Sequence, residues 1–307
     1  MSAAGSETAA PETRFGFVAI LGAPNVGKST LVNRLVGAKI TIVSPKVQTT
    51  RSRMLGIAVH GKSQVVFVDT PGIFAPRKRL DRAMVASAWQ GAADADIVCL
   101  LVDCTRGFDE DTRRIVTALA ETGRGAILVL NKIDKVKRES LLALSAALNE
   151  AGKFQETFMV SALNGDGVGD LLDYFAGAVP PGVWHFPEDQ ISDLPQRLLA
   201  AEVTREKLYL NTHQELPYAL TVVTDAWEPF RDGSVKITQT IYVERDSQRP
   251  IVLGKGGQMI KRIGAAARED LAEMLGCKVH LFLHVKVREK WSEQRDYYAL
   301  WGLDYDV

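Results

Sequence analysis

Cysteine is scarce. Cys99, Cys104 and Cys277 are the three in 307 residues, and no two form a C-x-x-C pair. An odd, scattered set gives neither a disulfide framework nor zinc-site spacing, and reads as free thiols in a reducing compartment. Net charge is also lacking, since 37 basic side chains balance 37 acidic ones. Any nucleic-acid surface must therefore come from local clustering. No apolar run approaches the ~20 residues needed to span a bilayer. The opening "MSAAGSETAAPETR" lacks the apolar core of a secretory signal and is too poor in arginine for a transit peptide. Its small and polar residues predict a disordered tail over 1–13. Cytoplasmic location is the expectation.

What the chain has is alternation. The apolar runs 15–21, 65–69, 97–103, 126–131 and 157–161 predict strands, several of them apolar at consecutive positions as in parallel sheets buried on both faces. Between them 28–37, 81–91, 109–122, 137–151 and 167–177 predict helices. Residues 14–180 thus read as a doubly wound, mostly parallel α/β sheet. A proline-rich stretch follows, with Pro180, Pro181, Pro187 and Pro195, and marks a linker over 181–194. Residues 195–307 change pattern. A helix over 195–210, strands over 219–227, 235–244 and 278–287, and a helix over 258–276 predict a smaller α+β domain.

"GAPNVGKS" (22–29) follows a strand and opens a helix, as a phosphate loop must. Gly22 and Gly27 let successive N–H groups turn toward phosphate oxygens, with Asn25, Val26 and Thr30 completing the loop. Lys28 reaches the β- and γ-phosphates, and the Ser29 hydroxyl is a hard ligand for Mg²⁺. "NKID" (131–134) ends a strand where such sheets bind ligands. The Asp134 carboxylate matches the N1–H and N2–H₂ donors of guanine, and adenine has no such pair. Asn131 ties loops together, the Lys132 stem covers the base, and Ser161, Ala162 and Leu163 place the Ala162 N–H against guanine O6. "DTPG" (69–72) supplies Asp69 toward Mg²⁺, Thr70 and Pro71 in the turn, and the Gly72 N–H for the γ-phosphate. In "QTTR" (48–51), Thr50 is the best hydroxyl to reach Mg²⁺ when γ-phosphate is present, and Thr49 is the alternative. Lys28, Thr50 and Gly72 are therefore the candidate catalytic groups. Ser29, Thr50 and Asp69 are the candidate metal ligands.

A second glycine loop, "VLGKGGQMI" (252–260), is no mononucleotide site, because no Lys-Ser/Thr follows at the right spacing. From Arg245 to Arg268 there are six basic residues against one acid. Arg249, Gly254, Lys255, Gly256, Gly257, Lys261 and Arg262 form a candidate RNA contact. The order helix, strand, strand, GKGG, helix, strand resembles a type II KH domain. The C-terminal aromatics Trp291, Tyr297, Tyr298, Trp301 and Tyr305 have roughly helical spacing. They predict a terminal helix docked on the KH core, with base stacking as the other reading.

The five nucleotide motifs joined to a GKGG domain resemble the Era family of bacterial GTPases over residues 14–307. The resemblance implies GTP binding and hydrolysis with Mg²⁺. It further implies binding to the 3′ end of 16S ribosomal RNA, assistance to small-subunit maturation, a monomer, and peripheral association with the inner membrane. Asn25 resembles the asparagine that ligates K⁺ in potassium-activated GTPases; that role and simple loop stabilisation both stay open. Ile73 departs from the many GTPases that carry a glutamine after this glycine. An isoleucine cannot orient water, so slow intrinsic turnover is expected.

Overall fold

The computed structural model describes residues 12–46, 48–212 and 216–307. The expected N-terminal tail lies, but for its last two residues, outside the described residues.

The first half is built on β1 (Arg14–Leu21), α1 (Lys28–Val36), β2 (Met54–His60), β3 (Ser63–Asp69), α2 (Arg79–Asp94) and β4 (Ile97–Asp103). It continues with α3 (Glu110–Thr122), β5 (Ala126–Asn131), α4 (Arg138–Ala151), β6 (Phe154–Val160) and α5 (Val168–Ala178). The strands form one sheet in the order β2-β3-β1-β4-β5-β6. All neighbours are parallel except β2 with β3, which is a hairpin. β1, β3, β4 and β5 are almost wholly buried, as their unbroken apolar runs require. β2 was not among the expected strands. Its "MLGIAVH" is an edge strand, with Gly56 pressed under Ile40 and Val36.

The sheet order reverses between β1 and β4, which opens a crevice above their carboxyl ends. The phosphate loop, the end of β3 and the end of β5 all meet there. Residues 179–195 pack along the sheet instead of crossing solvent. Ile57 N–H donates to Ile191 O at 2.9 Å, Leu55 N–H to Asp193 Oδ1 at 3.0 Å, and Phe15 N–H to Pro180 O at 3.0 Å.

The second half has α6 (Gln196–Asn211), β7 (Leu220–Pro229), β8 (Val235–Val243), α7 (Arg249–Leu253), α8 (Gln258–Leu275), β9 (Val279–Val287) and α9 (Arg295–Leu300). β8 pairs antiparallel with β7 and parallel with β9. On β8, Val235, Ile237, Ile241 and Val243 are buried against the helices as their alternation predicts. Gln239 lies buried on the same face and accepts from Thr204 Oγ1 at 2.6 Å, so its burial carries a partner.

The C-terminal aromatics do more than cover the KH core. Trp291, Tyr297, Tyr298 and Trp301 are buried in one cluster with Leu80, Ala83 and Met84 of α2, and with Val223 and Tyr242 of the second sheet packed against it. They wedge the two halves together. Rings this buried cannot stack on bases, which leaves docking as their role.

Candidate nucleotide site and nucleic-acid interface

A cavity of about 530 Å³ opens above the phosphate loop, between Lys28, Ser29, Thr50 and Gly72. A second of about 140 Å³ lies next to it, lined by Asn131, Asp134, Ser161 and Ala162. Gly27, Thr30 and Lys132 line both, so the phosphate and base regions are continuous.

The loop geometry follows from the glycines. Gly27 has φ of 102°, and a Cβ there would sit 2.4 Å from Asn131 Nδ2. Any side chain would break the hydrogen bond that Asn131 Nδ2 donates to Val26 O at 2.7 Å. Val26 itself points into the core. Lys28 is buried, and its ammonium donates to Gly22 O and Ala23 O at 3.1 Å each. Burial pushes its pKa down to about 8, against the attraction of Asp69. A buried cation so poorly solvated favours a ligand with negative charge.

The three candidate metal ligands converge. Ser29 Oγ donates to Asp69 Oδ2 at 2.8 Å and lies 3.0 Å from Thr50 Oγ1; Thr50 Oγ1 also donates to Asp69 Oδ2 at 3.3 Å. Thr49 points elsewhere, donating to Lys46 O at 2.6 Å. Asp69 Oδ1 is buried with no hydrogen-bond partner. Desolvation raises the Asp69 carboxyl to about 6, although Lys28, Ser29 and Thr50 pull the other way. An orphaned carboxylate oxygen amid two hydroxyls suits a hard divalent cation such as Mg²⁺. Thr70 turns inward, donating to Ile20 O at 2.7 Å, and Pro71 is buried. Ile73 N–H donates to Gly22 O at 3.1 Å, and its side chain is buried in the core. The Gly72 loop is thereby fastened to the phosphate loop.

At the base end, Ser161 Oγ donates to Asp134 Oδ1 at 2.7 Å and so orients the exposed carboxylate. Asn131 Oδ1 accepts from the Ala162 N–H at 3.0 Å. That amide was expected to face guanine O6; here it donates to Asn131 Oδ1, because the side chain that ends β5 lies against it. Leu163 is exposed. Lys132, at φ of 67°, anchors its ammonium on Asn25 O at 2.8 Å and Asp103 Oδ2 at 2.5 Å. Asn25 Nδ2 donates to Pro45 O at 2.8 Å, which tethers the phosphate loop to the 39–53 loop.

In the second half, Gly254 takes φ of 72°, and a Cβ there would meet Met259 Cβ at 2.6 Å, so the turn from α7 into α8 requires glycine. Gly256 and Gly257 also have positive φ. Arg249, Lys255, Lys261 and Arg262 are all exposed around this turn. None of the four forms an ion pair among the described residues. Ile251, 56% exposed, adds an apolar edge beside them.

Residues 17–132 match the family described as 50S ribosome-binding GTPase, and 215–292 match the KH domain family. GTPase Era of Bradyrhizobium sp. strain BTAi1 is 60% identical over 294 residues, covering 96% of each chain. The chain belongs to the Era family of GTPases. A structure of Era in complex with MgGDPNP and nucleotides 1506–1542 of 16S ribosomal RNA is similar with a TM-score of 0.90 and 38% identity, over 95% of this chain and 99% of that one. A variant of Aquifex aeolicus Era bound to GDP·AlF4⁻ also scores 0.90 at 38% identity, over 94% of this chain and 99% of that one.

Three residues of this Era-family site escaped sequence reasoning. Asp103 is buried at the end of β4. Burial works against its charge, but hydrogen bonds from Lys132 and Thr105 hold its carboxyl below the ordinary value. Arg106 donates to Pro24 O at 3.1 Å, and Arg34 donates to Ala162 O at 3.4 Å and to Leu163 O. An aspartate closing an apolar strand beside the switch point was the available signal for Asp103. The arginines gave none, since each acts through contacts distant in sequence.

Proposed function

We propose that this Era-family GTPase is a switch that hydrolyses GTP, binds the 3′ region of 16S ribosomal RNA through its KH domain, and assists small-subunit assembly and maturation. The observation that carries this reading is an unpaired basic rim around the GKGG turn, in one chain with a nucleotide site whose Ser29, Thr50 and Asp69 converge. An unpaired basic rim suits a phosphate backbone, and GKGG lets that backbone approach closely. RNA crosslinking and sequencing with the protein held by a GTP analogue or by GDP tests it. The expected result is enrichment of the 3′ end of 16S RNA, stronger with the analogue. Uniform crosslinks across ribosomal RNA in both states would sink the reading. The same exposed cations would serve an anionic inner-membrane surface, and the expected species in solution is a monomer.

In hydrolysis, water attacks the γ-phosphorus and GDP leaves with the electron pair of the broken P–O bond. Lys28 and the N–H groups of the phosphate loop neutralise charge on the β- and γ-oxygens. The Gly72 N–H meets the γ-phosphate. Mg²⁺ held by Ser29, Thr50 and Asp69 supplies charge stabilisation when bound. Ile73 contributes nothing to water placement, so no side chain of the usual kind aligns the nucleophile.

Asn25 Nδ2 is engaged by Pro45, and its Oδ1 has no hydrogen-bond donor among the described residues. That oxygen is a candidate K⁺ ligand beside the phosphates. Turnover of the isolated protein is expected to lie well below roughly one per second in NaCl, and to rise about tenfold in KCl, equivalent to about 1.4 kcal/mol of barrier. Equal rates in the two salts would leave Asn25 as a loop tether only.

A further inference from the structure

The loop that carries Thr50 is held from both halves of the molecule; within its own half Gln48 Nε2 also donates to Asp81 Oδ1 at 2.8 Å. Arg51, next after Thr50 in the chain, is 0% exposed. Its guanidinium donates to Leu220 O and to Tyr209 Oη at 3.0 Å each, and lies 5.1 Å and 5.5 Å from the ring centres of Trp291 and Trp301. Just before it, Arg205 of α6 donates to Gln48 O at 3.3 Å and to Thr49 O, while Glu202 fixes its other edge. Lys46 donates to the terminal carbonyls of α6, Tyr209 O and Thr212 O. Lys39 pairs with Glu206 at 2.6 Å and Asp270 at 2.9 Å, and Glu206 Oε1 accepts the Val43 N–H at 2.8 Å.

Burying a cation is costly unless its donors are met. Two neutral oxygens meet the outer nitrogens of Arg51 and two π faces flank it, while its Nε–H is buried with no hydrogen-bond partner among the described residues. If the 48–51 loop moved away, Arg51 would lose that cage and Arg205 would lose two acceptors. The loop and the KH half therefore share one contact, and displacement of either disturbs it. Arg51 is not among the residues that line the nucleotide cavity, whereas Thr50 is.

We propose that Arg51 is a positioning residue for GTP hydrolysis: seated in the Tyr209–Leu220–Trp291–Trp301 cage, it sets the Thr50 hydroxyl beside Ser29 and Asp69, so that the KH half supplies the surface on which the γ-phosphate-sensing loop orders. This rests on reading Thr50 as that sensing hydroxyl. By linkage, whatever tightens the cage favours the ordered loop, and whatever orders the loop tightens the cage.

The test uses full-length Arg51→Lys, Tyr209→Phe and Thr50→Ala. The readouts are affinity for a non-hydrolysable GTP analogue against GDP, and amide hydrogen exchange over residues 44–51. Arg51→Lys keeps the charge and loses the fork and the stacking. It should cut the analogue-over-GDP preference about tenfold, within the usual range for coupled sites, with GDP affinity unchanged. Protection of 44–51 by the analogue should vanish, and kcat should fall more than KM rises. Tyr209→Phe, nearly isosteric, should show the same pattern more weakly, and it decides the matter if Arg51→Lys does not fold. Normal preference and normal protection in the folded cage variants, with Thr50→Ala defective, would overturn the positioning role alone. Normal behaviour of Thr50→Ala would overturn the sensing role beneath it.

Discussion

Asp134→Asn is expected to weaken GTP binding about 1,000-fold and to bring xanthosine triphosphate to comparable or better affinity. The guanine edge presents two donors, N1–H and N2–H₂, to one carboxylate. Hydrogen bonds to a charged group are worth about 1.5–3 kcal/mol each, and an unmatched donor pair adds its own cost. A loss near 4 kcal/mol corresponds to roughly three powers of ten. Xanthine replaces the amino group with a carbonyl, so the asparagine amide pairs with N1–H through its oxygen and with that carbonyl through its nitrogen. Ser161 Oγ, 2.7 Å from Asp134 Oδ1, can serve the asparagine oxygen in the same pose. Competition binding with labelled nucleotide checks this. Unchanged GTP affinity in the folded variant would mean that the 131–134 loop does not read the base.

The double change Lys255→Asp with Lys261→Asp is the second large effect. Both side chains are exposed, so folding should be untouched. Each lysine that meets a phosphate releases counterions on binding, so losing two should lower the slope of log K against log salt by about two. Two reversed charges should also cost about 100-fold in affinity for a 3′-terminal 16S fragment at moderate salt. The loss should be nearly independent of base sequence, because phosphate contacts position the chain and do not specify it. Filter binding across a salt series measures both quantities. RNA affinity and salt slope equal to the parent would remove the GKGG face from the interface.

The nucleotide half was legible because its chemistry is local. "GAPNVGKS", "DTPG" and "NKID" are contiguous, each at the end of a strand, and the sheet brings them to one crevice. Even the choice between Thr49 and Thr50 could be ranked by sequence, and geometry turned Thr50 toward Ser29 and Asp69. β2 was missed because a short edge strand interrupted by Gly56 gives no long buried run. α7 was missed because five residues are too few to show helical period. The aromatic tail was legible as a docked helix, but not its second seat on α2, since packing across two halves leaves no periodic trace. Arg51, Arg205 and Lys46 fell silent for the same reason. Their partners in the opposite half lie more than 150 positions away.

The stretch that joins the halves has one more consequence. β2 is the outer strand of its sheet, and such a strand offers unpaired amides and carbonyls to any passing chain. Ile191, Ser192 and Asp193 lie against it, engaging Ile57, Gly56 and Leu55. The connector thus covers part of an edge that would otherwise be open to pairing. Replacing it with a longer, looser spacer would free the two halves from one another and also uncover an adhesive border.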